Sequence, residues 1–151
     1  MIETTWKFID RFDRIERKAK RAKSRVMRRS GGIVRSLMRR SIRYRKKTNS
    51  DPGSKPFAHV PSSSFGLRMI LWHYDPKTET TIIGPVGGSE NTGGPHALEH
   101  GGTAKIRMRP RDQKKYGRKY SSGHVAKREF AYPALEKFSS SYPDLWKDSI
   151  Q

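Results

Sequence analysis

Cysteine is absent from this 151-residue chain, which excludes disulfides and thiolate metal sites and fits a reducing compartment. Apolar residues are few: at 32% hydrophobic content, part of the chain is expected as extended helix, loop or arm around a modest core. Long apolar runs are missing as well. The longest, Met69-Ile70-Leu71-Trp72, falls far short of a membrane span. The opening MIETTWKFIDRFDR carries acids and no signal-type apolar block, so neither a membrane nor secretion is expected. Acids are also scarce, 14 Asp and Glu against 33 Lys and Arg. A nuclease needs several carboxylates to hold Mg²⁺. Here Asp75 reads as a turn residue, Glu79 as a strand start, and Glu129 and Glu136 as flanks of the last helix. Only Glu90 and Glu99 could meet, and Glu99 reads more simply as a cap or an intersubunit pair. There is no G-x-S-x-G elbow, Walker loop or dinucleotide fingerprint. These absences point away from an enzyme and from a cofactor.

What the chain does have is positive charge. Between Arg11 and Lys47, 17 Lys and Arg face only Asp13 and Glu16, a local net charge of +15. Such a field implies a polyanionic partner, a strongly acidic protein surface, or both. Arg dominates, and its planar fork suits phosphate or carboxylate better than solubility alone requires. The binding candidates here are Arg25, Arg28, Arg29, Arg35, Arg39, Arg40, Arg43 and Arg45. A second group, Lys114, Lys115, Arg118 and Lys119, is interleaved with Tyr116 and Tyr120, as phosphate contact combined with base stacking would require.

The pattern predicts an α+β fold: a long basic N-terminal helix packed on a small antiparallel sheet, a short C-terminal helix, and long loop arms. Phe8, Phe12, Ile15, Ala19, Ala22 and Val26 recur at alternating spacings of four and three, one apolar seam over residues 5–30. Gly31-Gly32 reads as a hinge or break, after which Ile33, Val34, Leu37, Met38 and Ile42 resume the seam. One kinked helix and two consecutive helices fit equally well. Residues 1–47 form the basic helical region, 48–64 a Pro/Ser/Gly-rich linker arm, and 65–151 the sheet region, all within one domain.

Phe65 to Tyr74 is apolar on both faces and is expected to be a central strand, with Thr80–Gly84 returning as its hairpin partner. Residues 85–102 read as a Gly-rich loop. Thr103–Arg109 alternates Ala104, Ile106 and Met108 inward with Lys105, Arg107 and Arg109 outward, as a half-buried strand does. Residues 110–124 lack periodicity and read as a mobile basic loop. Pro133 suits the first turn of a helix from Ala134 to about Ser140, and Pro143 a last turn docking Leu145 and Trp146. Trp72, Tyr74, Tyr132 and Trp146 are expected in the core.

His96-Ala97-Leu98-Glu99-His100 matches the H-x-x-E-H zinc signature. Zinc chemistry there needs a third ligand and a Glu free to act as general base. Gly93-Gly94-Pro95 and Gly101-Gly102 fence the motif into about one and a half helical turns, and His59, His73 and His124 supply no ligand spacing. The match is read as accidental.

Five segments taken in order resemble the small tail-component or tail-completion (neck, head–tail connector) proteins of long-tailed bacteriophages. They are the basic helix end RRSIRYRKK (39–47), the linker DPGSKPFAHV (51–60), the strand pair LRMILWHYDPKTETTIIGPV (67–86), HALEHGG (96–102), and REFAYPALEKF (128–138). The linker is similar to the family's P-G-K-P-P-x-x-H segment. HALEHGG is similar to its aliphatic-Glu-aromatic-Gly-Gly pattern, with His100 in place of the aromatic. The last segment is similar to its R-P-F-x-x-P-A-L-E ending, with Glu129 in place of Pro. The resemblance spans roughly residues 35–138. It implies a virion structural protein that assembles as a hexameric or dodecameric ring in the host cytoplasm and joins the head portal complex to the tail. Its partners would be copies of itself, portal or adaptor proteins, tail proteins, and the phage DNA in the lumen. Pro52, Lys55, Pro56, His59, Glu99, Gly101 and Gly102 are then candidate assembly-loop residues. The alternative expectation is a stand-alone nucleic-acid-binding protein using the Arg-rich helix and the Tyr-containing basic segment.

Overall fold

The computed structural model describes residues 2–46, 48–59, 67–86, 94–107, 110–147 and 149. Residues 60–66 of the linker, 87–93 of the Gly-rich segment, Met108 and Arg109, and the side chains of Phe8, Ile106 and Arg107 lie outside that description.

The fold is α+β. Helix α1 (Ile2–Ser41) runs unbroken through Gly31 and Gly32. Neither glycine is a break, and for Gly31 the reason is steric. A Cβ there would sit 2.7 Å from Trp72 Cε3 and 2.9 Å from Thr81 Cγ2, so Gly31 is the point at which a hairpin lies against the helix. Nothing lies within 4 Å of a Cβ built on Gly32.

The apolar seam is continuous along α1, but only part of it is covered. Ala22, Val26, Val34 and Met38 are buried, as is Ile42 just beyond the helix. Every residue from Arg11 to Arg21 is exposed, including Phe12 and Ile15 on the seam. The stretch of α1 from Arg11 to Arg21 is therefore an arm reaching past the core.

The hairpin packed on α1 is β3 (Ile70–Asp75) with β4 (Thr80–Pro85), in register from Ile70↔Pro85 to Asp75↔Thr80. The Asp75 carboxylate accepts hydrogen bonds from Lys77 N and Thr78 Oγ1 and closes the four-residue loop. Ile70 and Tyr74 are buried toward α1 while Leu71 and Ile82 stay exposed. The strand is thus covered on one face and paired on one edge. It is not central, despite its two apolar faces. Thr81 Oγ1 donates to the Met27 carbonyl at 3.2 Å, tying β4 to the helix.

Among the described residues the strands form three separate pairs, not one sheet. A two-residue parallel pair joins β1 (Arg43–Tyr44) to β2 (Phe57–Ala58), each too short for any periodicity to reveal. The third pair is antiparallel, β5 (Gly102–Arg107) with β6 (Tyr120–Val125). Within it Ala104 is buried and Lys105 exposed, in the expected alternation.

Two segments expected as loops contain regular structure. In 85–102, helix α2 (Gly94–His100) carries Pro95 in its first turn, and Gly101 follows it at φ +76°. In 110–124, helix α3 (Pro110–Tyr116) begins on Pro110, bears Asp112 in its first turn, and is followed by Gly117 at φ +62°. Its successor β6, YSSGHV, is too polar to read as a strand and owes its form to backbone pairing with β5.

Helix α4 (Tyr132–Ser139) has Pro133 in its first turn, as expected, and α5 (Asp144–Lys147) follows. The core joins Val34, Met38 and Ile42 to Ala58, Ile70, Phe130, Ala134 and Phe138, with Leu145 packed at its edge. Phe138, Tyr142 and Trp146 stack edge to face beside it, with centroids 5.6 and 6.4 Å apart. Of the aromatics expected in the core, Tyr74 is buried and Trp72 and Trp146 are half-buried. Tyr132 is exposed, on the outer side of α4.

Candidate functional site

The basic residues fall into two groups on different parts of the fold. On α1, Arg25, Arg28, Arg29 and Arg40 are exposed, whereas Arg35 and Arg39 are half-buried; Arg43 and Arg45 follow on exposed backbone at β1. Arg28 sits over the Tyr74 ring with its Cζ 5.8 Å from the centroid, a cation–π contact that holds it on the hairpin. Arg35 Nε donates to the Ile70 carbonyl at 2.7 Å. Lys114, Lys115, Arg118 and Lys119 lie exposed on α3 and the turn into β6. There Lys115 and Lys119 stand over the rings of Tyr116 and Tyr120, at 5.2 and 5.7 Å, so the tyrosines engage neighbouring cations of the same segment.

Part of the α1 group closes into a cleft of about 270 Å³ lined by Arg35, Ser36, Arg39, Arg40 and Arg68. No acid is among these residues. Arg68 precedes β3 and was not among the sequence candidates. The available signal was its isolation, since it is the one Lys or Arg between Lys55 and Lys77. Its Nε is buried and has no hydrogen-bond partner among the described residues.

A second constellation is built on Glu99. The N-cap position before α4 is Ala131, whose side chain cannot cap, so the helix's first N–H groups need an acceptor from elsewhere. Glu99 supplies it from α2. Its Oε2 accepts from Phe130 N at 2.9 Å and Ala131 N at 3.0 Å, and its Oε1 from Tyr132 N at 2.7 Å. Burial pushes the Glu99 pKa up, but the three backbone donors outweigh it and hold the carboxyl below its ordinary value. Glu99 is a helix cap delivered from a distance.

Beside it, Arg128 N donates to the Leu98 carbonyl at 2.6 Å, and the Arg128 guanidinium grips the Ser50 carbonyl through Nε and Nη2 at 3.0 and 2.8 Å. Gly53 N donates to the Lys127 carbonyl at 3.0 Å. The linker is therefore fastened to the segment before α4. Pro56 and Ala58 are buried, and the exposed His59 bonds the Arg45 carbonyl through Nδ1 at 2.8 Å. Of the candidate assembly-loop residues, Pro52 and Lys55 are exposed, while Pro56 and Glu99 belong to the interior. Gly101 packs against Lys127, and Gly102 adopts φ +124° where β5 starts. Residues 50–58 are part of the body and do not form a detached arm.

The same geometry bears on H-x-x-E-H. His96 and His100 are exposed with ring centroids 4.6 Å apart, whereas Glu99 is buried on another side of α2 with both oxygens engaged. Among the described residues no group of three or more His, Cys, Asp or Glu could hold a metal ion. No helix among them is long and apolar enough to cross a membrane.

Comparison with protein-family models, with curated proteins and with solved structures yields no match to this chain.

Proposed function

We propose that this chain is a structural subunit of the head–tail junction of a long-tailed bacteriophage. It would assemble with copies of itself into a ring and bridge portal or adaptor proteins to the tail by contact, without catalysis. The observation that carries the proposal is the α1 seam. It leaves the core at Ala22 and continues outward onto an arm where Phe12 and Ile15 are exposed, an arrangement suited to burial against a neighbour.

The identity of the assembly comes from the ordered segments that resemble the neck family, and their packing in the fold supports it. Glu99 of HALEHGG caps the helix begun by REFAYPALEKF, and Arg128 of the latter grips the chain just before DPGSKPFAHV. The segments carrying the resemblance thus brace one another.

Phage lacking the gene should accumulate full heads and finished tails that remain apart in electron micrographs, and purified protein should join them. Normal particles without it would refute the proposal. A stand-alone nucleic-acid-binding protein is the second reading, favoured by the arginine-lined cleft on α1.

A further inference from the structure

We infer that the cleft formed by Arg35, Arg39, Arg40 and Arg68 is a phosphate-binding site. This inference does not depend on the neck assignment. Four arginines and Ser36 line a cleft of about 270 Å³, and no acid is among the described residues that line it. Like charges gathered this way repel one another unless an anion joins them.

Among the described residues, the side chains of Arg39, Arg40 and Arg68 have no carboxylate partner and no hydrogen-bond acceptor. The buried Nε of Arg68 is a donor withdrawn from solvent with no acceptor among those residues, a condition that an oxyanion in the cleft relieves. Arg35 is already oriented. Its Nε is committed to the Ile70 carbonyl, so only its terminal nitrogens remain for a ligand, and less side-chain freedom is lost on binding.

The geometry favours phosphate over carboxylate. A carboxylate offers two coplanar oxygens and is satisfied by one fork. The tetrahedral oxygens of a phosphate accept from several forks arriving in different directions. The cleft is also wide enough for a phosphate with its ester substituents, so the phosphate could belong to a nucleic-acid backbone or to a small soluble compound.

The test uses the full chain and the arginine Nε–H region of its ¹H–¹⁵N spectrum. The Arg68 resonance, assigned by its loss in Arg68→Gln, is expected to shift saturably with inorganic phosphate and not with chloride at equal ionic strength. A short DNA duplex that produces the same shift and competes with phosphate identifies the backbone as the source. A phosphate response that the duplex cannot displace identifies a small phosphate compound.

If the duplex binds, Arg68→Gln should weaken it about tenfold and reduce the log–log salt slope by about one. Lys105→Gln, an equal charge change on β5, should alter the affinity by less than about twofold. Arg39→Gln carries the same comparison should Arg68→Gln fail to fold by circular dichroism. Equal losses in the cleft and control variants would mean a diffuse field and no site. A saturable response to poly-glutamate with none to phosphate or duplex would mean a carboxylate site. Either result overturns the inference.

Discussion

At the scale of single residues, Glu99 links a sequence motif to the stability of the fold. Three charge-assisted hydrogen bonds to the start of α4 make its ionised form the stabilising one. Glu99→Gln keeps one acceptor oxygen but sets an amide NH₂ against backbone donors. It should cost about 1–3 kcal/mol at neutral pH, read by denaturant unfolding. Because the folded-state pKa of Glu99 is depressed, this stabilisation is full above the unfolded value of about 4.3 and disappears as pH falls through the lower folded value. The gap between wild type and Glu99→Gln should therefore close in acid, and a gap independent of pH would contradict the capping role. The sequence allowed Glu99 to be a cap but not the identity of the helix it caps. That partner lies 31–33 residues away, and no local pattern reports a contact at such a separation. Arg68 escaped notice for a similar reason, because a lone basic residue in an apolar run acquires meaning only when the run is laid beside α1.

At the scale of elements, α1 was legible in its periodicity, but its glycines were not. Helix propensity ranks both alike, whereas the hairpin lying on Gly31 separates them. Gly32→Ala, with open space around it, should stabilise by about 0.5–1 kcal/mol. Gly31→Ala gains the same propensity but forces Trp72 and Thr81 aside, and should destabilise by about 1–3 kcal/mol. Equal effects of the two substitutions would mean that the hairpin does not sit where the structure has it. The seam divides in the same manner. Met38→Ala, at a buried position, should cost about 2–5 kcal/mol, while Ile15→Ala on the exposed arm should stay within about 0.5 kcal/mol. The β3–β4 hairpin, α4 and the outward Lys105 of β5 were foreseeable from alternation and proline placement. Helix α3 and strand β6 were not, since polar segments owe their form to a capping turn and a backbone partner. Two apolar faces on β3 suggested a central strand, yet its outer face bears the exposed Leu71 beside the exposed Ile82 of β4.

At the scale of the whole molecule, composition anticipated a modest core with an extended helix beside it. A chain with a net charge of +19 and 32% hydrophobic content buries a small core and leaves much of its longest helix in solvent. The linker is the main revision at this scale. Because Pro56 and Ala58 are buried and Ser50 and Gly53 are fastened near α4, deleting residues 48–59 should lower the melting temperature of the isolated protein. Exposed side chains such as Lys55 and Phe12 are the places to separate assembly from folding. The proposed role requires the protein to be part of the virion at the head–tail junction. Immunogold electron microscopy of purified particles from the source that encodes it tests this most directly. Gold confined to the junction of head and tail is the predicted result. Unlabelled particles, with the protein recovered instead on cellular nucleic acid, would contradict the claim and favour the stand-alone nucleic-acid-binding protein.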